Sequence, residues 1–226
     1  MPKTSETPAP KGLPGRKAQA ARNDGLILAA ARTVFLADAS APIAAVATAA
    51  GVGISALYRR YPSKEALLRK LCYDGLQRYN IEADAALADS DGWHGLVGFL
   101  ERVVDADVHS LTVHLAGTFT PDDTILPAVT HSAEVTAELV RRAHRSGRLR
   151  PEVNAQDLGL LLEACAAISL PDPERTAELR RRTLAMLIAG IAVPRTAGEL
   201  PGPPPEPGEF AWRWQPRTAR GRGTEA

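Results

Sequence analysis

The stretch that most limits what this chain can fold into is "AAGVGISALYRRYPSKEALL", residues 49–68. Ahead of it, Pro42 suits a first helical turn, and Ile43, Val46, Ala47 and Ala50 recur at helical spacing. Gly51 ends that short helix, because the chain must turn there through a conformation that glycine adopts without steric cost. A second short helix is predicted from about Ile54 to Tyr61, and Pro62 stops it. Ser63 is placed as the N-cap of the next helix, with Glu65 in its first turn.

Two short helices joined by a glycine turn have the layout of a helix-turn-helix, whose second helix enters the DNA major groove. Leu57 and Tyr61 lie four apart and anchor that helix inward, on a partner helix whose Ala47 is small enough for close approach. Ser55, Tyr58 and Arg59, at i, i+3 and i+4, are left for the opposite face. Arginine suits a guanine edge or a phosphate, and a tyrosine hydroxyl suits a phosphate oxygen. A solvated basic turn is the plainer reading of Tyr58-Arg59-Arg60 taken alone.

The rest of the chain is helical by period. The first helix is predicted from about Arg22 to Leu36, with Leu26, Ala29, Ala30, Thr33, Val34 and Ala37 on its apolar face and Ile27, Leu28 and Phe35 widening it. Later helices are predicted over Trp93–Asp107, Ile125–Ser146, Ala155–Ile168 and Pro173–Val193. No alternating strand pattern of any length occurs, so the expected fold class is all-α. Residues 1–20 have almost no large apolar side chains and read as a disordered basic arm. The Pro- and Gly-rich stretch 195–226 reads as a disordered tail, within which Phe210, Trp212 and Trp214 have no assigned role. The expected domains are thus 21–70 for the helix-turn-helix and 71–194 for a larger helical body.

Net charge is only +1, so charge alone does not announce a nucleic-acid partner. Cys72 and Cys165 have no zinc-type spacing and read as reduced buried thiols rather than one disulfide. The five histidines show no metal spacing, the aspartate pairs form no acid/base constellation, and no phosphate or dinucleotide fingerprint occurs. No metal, cofactor or catalytic residue is expected. The absence of a ~20-residue apolar run and of a signal-peptide core gives a cytoplasmic expectation without a membrane partner.

Together "ILAAARTVF" and "IAAVATAAGVGISALYRRYPSKEALL" resemble the tetracycline-repressor (TetR) family of bacterial transcription regulators over about residues 22–72. The aromatic-Pro-Ser-Lys-Glu junction is the specific part. The resemblance implies a homodimer with two DNA-reading heads and a C-terminal body that binds a small effector and releases the operator. By position it assigns DNA contact to Ile54, Ser55, Ala56, Tyr58, Arg59 and Arg60, with Lys64 on a phosphate. Departures lie at Ala41 and Pro42, where threonines are frequent, and at Ile54 and Ala56, where polar residues are frequent.

Within the body, surplus apolar surface on the last two helices points to dimerisation through Leu158, Leu161, Leu162 and Cys165 on one and Leu184, Leu187, Ile188 and Ile191 on the other. The pocket implied by the resemblance has as candidate lining Leu96, Phe99, Leu100, Val103, His114, Phe119, Val129, Ala133 and Leu162, with His114 as the polar handle. The competing class is an all-α enzyme or interaction module without sequence-specific DNA binding. It would need clustered polar groups in the body that the sequence does not display.

Overall fold

The computed structural model describes residues 14–115, 118–119, 122–193 and 205–209. Outside them lie residues 1–13 of the expected arm, residue 194, and 195–204 and 210–226 of the expected tail, including Phe210, Trp212 and Trp214. The described residues form helices and turns, apart from one isolated antiparallel bridge between Leu149 and Ala192. The chain divides into two compact units, 1–64 and 65–226.

In the first unit, α1 (Pro14–Ala37) carries α2 (Ile43–Ala49), and α2 carries α3 (Ile54–Arg60). The inward side of α1 is Ile27, Ala31 and Phe35, spaced by four. Leu26, expected on that side, is exposed; Ile27, Ala31 and Phe35 take the interior, which leaves the neighbouring position outward. The helix also starts at Pro14, eight residues before the expected Arg22. Proline suits a helix start, and the run "KAQAAR" is rich in good helix formers. Ile43, Val46 and Ala47 of α2 and Leu57 of α3 complete this small core. Gly51 has φ 64, and the Val52 amide donates to the Ala47 carbonyl at 3.0 Å, closing the turn between α2 and α3.

The second unit contains α4 (Lys64–Leu87, all but its first residue), α5 (Gly92–Asp105), α6 (Val108–Leu115), α7 (Leu126–Arg145), α8 (Ala155–Ala166) and α9 (Pro173–Ile191). Helix α5 is enclosed, packed by α6, α7, α8 and α9. It can approach α7 closely because residue 92 is glycine: a β-carbon there would fall 2.4 Å from the Arg142 carbonyl oxygen. The guanidinium of Arg142 in turn donates to the Leu87 and Asp89 carbonyls, satisfying the end of α4. Asn80 and Glu82 are buried on α4; Asn80 donates to the Ala128 carbonyl at 3.0 Å, and Glu82 pairs with Arg78 and Arg102.

Helix α6 was not expected from the sequence. The chain breaks before it at Asp107, a non-glycine residue at φ 50. Buried Arg180 of α9 holds Asp107 at 2.6 Å and donates to the carbonyls of Ile168 (2.9 Å) and Ala166 (3.4 Å), capping the end of α8.

Candidate DNA-reading face and effector cavity

Helix α3 is divided sharply between its two sides. Leu57 is fully buried and Tyr61, just past the helix, is 5% exposed. Ile54, Ser55, Tyr58, Arg59 and Arg60 are exposed and Ala56 is half-buried. The outward strip is therefore a branched apolar group, a hydroxyl, a phenol and a guanidinium.

The two remaining basic residues are engaged inside the same unit. Arg60 grips Asp24 of α1 with both arms of its guanidinium, Nε to Oδ1 at 2.7 Å and Nη2 to Oδ2 at 2.9 Å. The Tyr61 hydroxyl donates to the same carboxylate at 2.7 Å. This bonding to Asp24 holds the Arg60 guanidinium above its ordinary range, and burial followed by the Asp24 bond raises the Tyr61 phenol, so both remain donors. Lys64 donates to the Ala39 carbonyl at 2.8 Å, with its ammonium 5.2 Å from the Phe35 ring centre. Of these two, placed on DNA by position in the sequence, Arg60 ties α3 to α1, and Lys64 ties the start of α4 to the loop after α1. A tie of this kind depends on pairing across 36 residues and has no local sequence signal.

Most residues expected to line a pocket lie elsewhere. Leu96, Phe99, Leu100 and Val103 are fully buried on α5, because the apolar face of that helix is core. Phe119 is buried, Val129 is exposed, and the His114 side chain lies outside the described residues. Ala133 and Leu162 do line a cavity of about 600 Å³. Its apolar wall continues through Leu76 and Tyr79 of α4 and Val108 of α6. Polar groups at the cavity come from His109, Thr136, Gln156 and Glu163. Thr136 donates to the Ser132 carbonyl at 2.6 Å, so it accepts from the Tyr79 hydroxyl 2.8 Å away. The Tyr79 ring meets Phe99 edge-on at 5.0 Å, and its burial pushes the phenol above its ordinary value. A second hollow of about 540 Å³, lined by Asp91, Arg142 and Arg145, is polar and lacks an apolar wall.

The expected dimer residues also divide. Leu158, Leu162, Cys165, Leu184 and Ile191 are buried within the single chain, filling the space among α5, α8 and α9. They are core, not an outward face. Leu161, Leu187 and Ile188 are half-buried at its edge. The exposed residues beside them are Ala164 on α8, Ala167 just past its end, and Met186, Ala189 and Gly190 on α9. Cys72 and Cys165 are free and buried, and burial pushes the Cys72 thiol up to about 12. Among the described residues no cluster could hold a metal ion, and no helix is long and apolar enough to cross a membrane.

Residues 27–71 match the family described as bacterial regulatory proteins, tetR family, and residues 93–193 match the C-terminal domain of SbtR-like transcriptional regulators. No curated protein matches. Among solved structures, a TetR transcription regulatory protein from Mycobacterium vanbaalenii is 26% identical, with a TM-score of 0.52 over 79% of this chain and 99% of that one. The TetR regulator SCO0520 from Streptomyces coelicolor is 23% identical, with a TM-score of 0.53 over 77% and 99%. LfrR from Mycobacterium smegmatis, solved with proflavine, is 22% identical, with a TM-score of 0.52 over 74% and 96%. One match falls on the helix-turn-helix unit and the other on the helical unit whose α5 is enclosed. The chain therefore belongs to the TetR family of bacterial transcriptional regulators.

Proposed function

We propose that the chain is a repressor that binds a roughly palindromic operator as a homodimer and is released by a small apolar or amphipathic effector. The observation that carries this reading is the outward strip of α3, where Tyr58 is 47% exposed beside exposed Ser55 and Arg59 while Leu57 is fully buried. Arg59 reads a base edge or a phosphate, Tyr58 and Ser55 donate to the backbone, and Ile54 meets a thymine methyl. Arg60 holds the helix at its working angle through Asp24, and Lys64 fixes the start of α4 through Ala39.

A second copy docks on the strip Met186–Ala189–Gly190 of α9 and Ala164 of α8, flanked by Leu161, Leu187 and Ile188. Small residues there let two helix pairs approach closely, and two-fold pairing presents two α3 helices to one duplex. The effector occupies the cavity between Tyr79, Val108, Ala133 and Leu162, whose size suits a drug-sized molecule. Release follows if the ligand prefers a body conformation in which the paired heads no longer match the operator.

Selection from random duplex DNA tests the reading: one enriched, two-fold-symmetric motif is expected, and no enrichment overturns it. On that motif Arg59→Ala costs about 1–3 kcal/mol if it reads a base, with relaxed preference at one position. A sequence-independent loss with a shallower salt dependence assigns it to phosphate instead. Sedimentation of the wild-type chain as a monomer at micromolar concentration would remove the dimer, and Met186→Glu is expected to produce that monomer with helix content retained.

A further inference from the structure

The geometry points to residues 205–209 as a removable outer wall of the effector cavity, a strap tied to the first turn of α8. Part of the C-terminal tail then belongs to the ligand site; the inference rests on the effector reading above.

Two contacts place this strap, on a connection that the end of α9 also meets. The chain leaves α9 already pinned to the connection between α7 and α8: the Arg150 amide donates to the Ile191 carbonyl at 3.0 Å, and the Val193 amide donates to the Arg148 carbonyl at 2.8 Å. It returns to the same connection at Pro205, whose carbonyl accepts from Asn154 Nδ2 at 2.9 Å. Pro207 then lines the cavity beside Ala155, Gln156 and Gly159 of α8.

The segment also has a conformation of its own. The Glu206 amide donates to the Glu209 carboxylate at 2.9 Å, and the Glu209 amide donates to the Glu206 carbonyl at 3.1 Å. Gly208 sits at φ 81, which closes the turn between them. Residues 205 and 207 are prolines, which lack an N–H and have little backbone freedom to lose on docking.

Asn154 does two jobs with the two ends of one amide. Its oxygen caps α8, accepting from the Gln156 and Asp157 amides at 2.9 and 3.0 Å. Its nitrogen holds the strap. Aspartate caps a helix equally well and has no hydrogen to donate when ionised, so Asn154→Asp should release the strap and leave α8 intact. A ligand that leaves past Pro207 must displace the strap, which slows its escape.

The test compares the full chain, Asn154→Asp, and a chain ending at Pro204, using the neutral fluorophore N-phenyl-1-naphthylamine as probe. Amide exchange is read at Glu206, Gly208 and Glu209, the strap residues that have an N–H. Protection in the full chain that falls by about fivefold in Asn154→Asp, with α8 amides unchanged, is the expected effect of one lost hydrogen bond. Probe dissociation should speed up by roughly the same factor in that variant and by more in the shortened chain. Strap amides exchanging at the unstructured rate in the full chain, or equal probe dissociation from all three chains, overturns the strap and leaves the cavity standing. Saturable binding that appears only in the shortened chain supports it. No saturable binding in any of the three overturns the effector reading and this inference with it.

Discussion

Both units of this chain tie helices together with an arginine and a carboxylate, and they place the device oppositely. In the head, Arg60 and Asp24 meet at the rim, with the Arg60 side chain 58% exposed. In the body, a buried Arg180 holds the half-buried Asp107, with the Arg180 side chain only 10% exposed and two further carbonyls on the same guanidinium. Water screens the first pair, so its energetic worth is about 1 kcal/mol or less. Breaking the second leaves buried charge and orphaned carbonyls, a penalty of about 3–5 kcal/mol. The head pair thus sets an angle, while the body pair holds a structure together. Seven-residue helices such as α2 and α3 are unstable alone and need something other than their own length to fix their direction.

Arg180→Ala is expected to have the largest effect, about 4 kcal/mol, because Asp107 and the end of α8 lose their partner together. For a chain of this size that lowers the melting temperature by roughly 10 °C. Thermal unfolding followed by helix signal checks it, and a change within 1 °C would erase the contrast between the two units. Leu57→Ala comes next, at about 3 kcal/mol from a fully buried leucine whose small surroundings collapse little. Its loss should fall on the head: operator binding disappears while the body retains its cooperative unfolding, as read by calorimetry.

These two units were not equally legible in the sequence. The turn at Gly51, the inward Leu57 and the outward Tyr58 and Arg59 follow from spacing within one short stretch, because a helix-turn-helix is a local object. The body's helices follow from period in the same way, α5, α7, α8 and α9 within a few residues. What their apolar faces meet does not follow. Leu100 and Leu162 look alike in sequence, yet one is sealed in the core and the other borders a void. A cavity is where side chains fail to meet, and that depends on how four helices pack. Helix α6 was hidden for a related reason: its break is held at Asp107 by Arg180, 73 residues away. His109 at the cavity was hidden with it, and Pro207 was hidden because a proline-rich tail carries no signal of where it docks.

A sharper test of the comparison is Asp24→Asn. The amide can still accept from Tyr61 but carries no charge for Arg60, so stability should fall by about 1 kcal/mol or less. Operator affinity should fall by more than that, since α3 loses the contact that fixes its direction, while the salt dependence of binding stays as in the wild type. A stability loss matching that of Arg180→Ala would show the rim pair to be a structural bond like the interior one. Unchanged affinity would return Arg60 to the set of direct DNA contacts.

The smallest expected effect concerns an exposed pair in the body, His94 and Asp89, whose Nδ1 and Oδ2 lie 2.5 Å apart. The hydrogen bond to Asp89 raises His94 above its ordinary 6.5, and the same bond, with the Asp91 amide, holds Asp89 below 3.8. The histidine's contribution is complete below pH about 6.5 and fades as pH rises through its raised value. The aspartate's is complete above about 3.8 and fades as pH falls through its lowered value. The pair therefore contributes over the window between the carboxylate and the imidazole and vanishes on either side. Proton NMR titration of His94 should give a midpoint above 6.5 that returns to the ordinary value in Asp89→Asn. The melting temperature should scarcely move, because both groups remain in water. If instead it fell as far as in Arg180→Ala, location in the fold would not be what separates an angle-setting pair from a structural one.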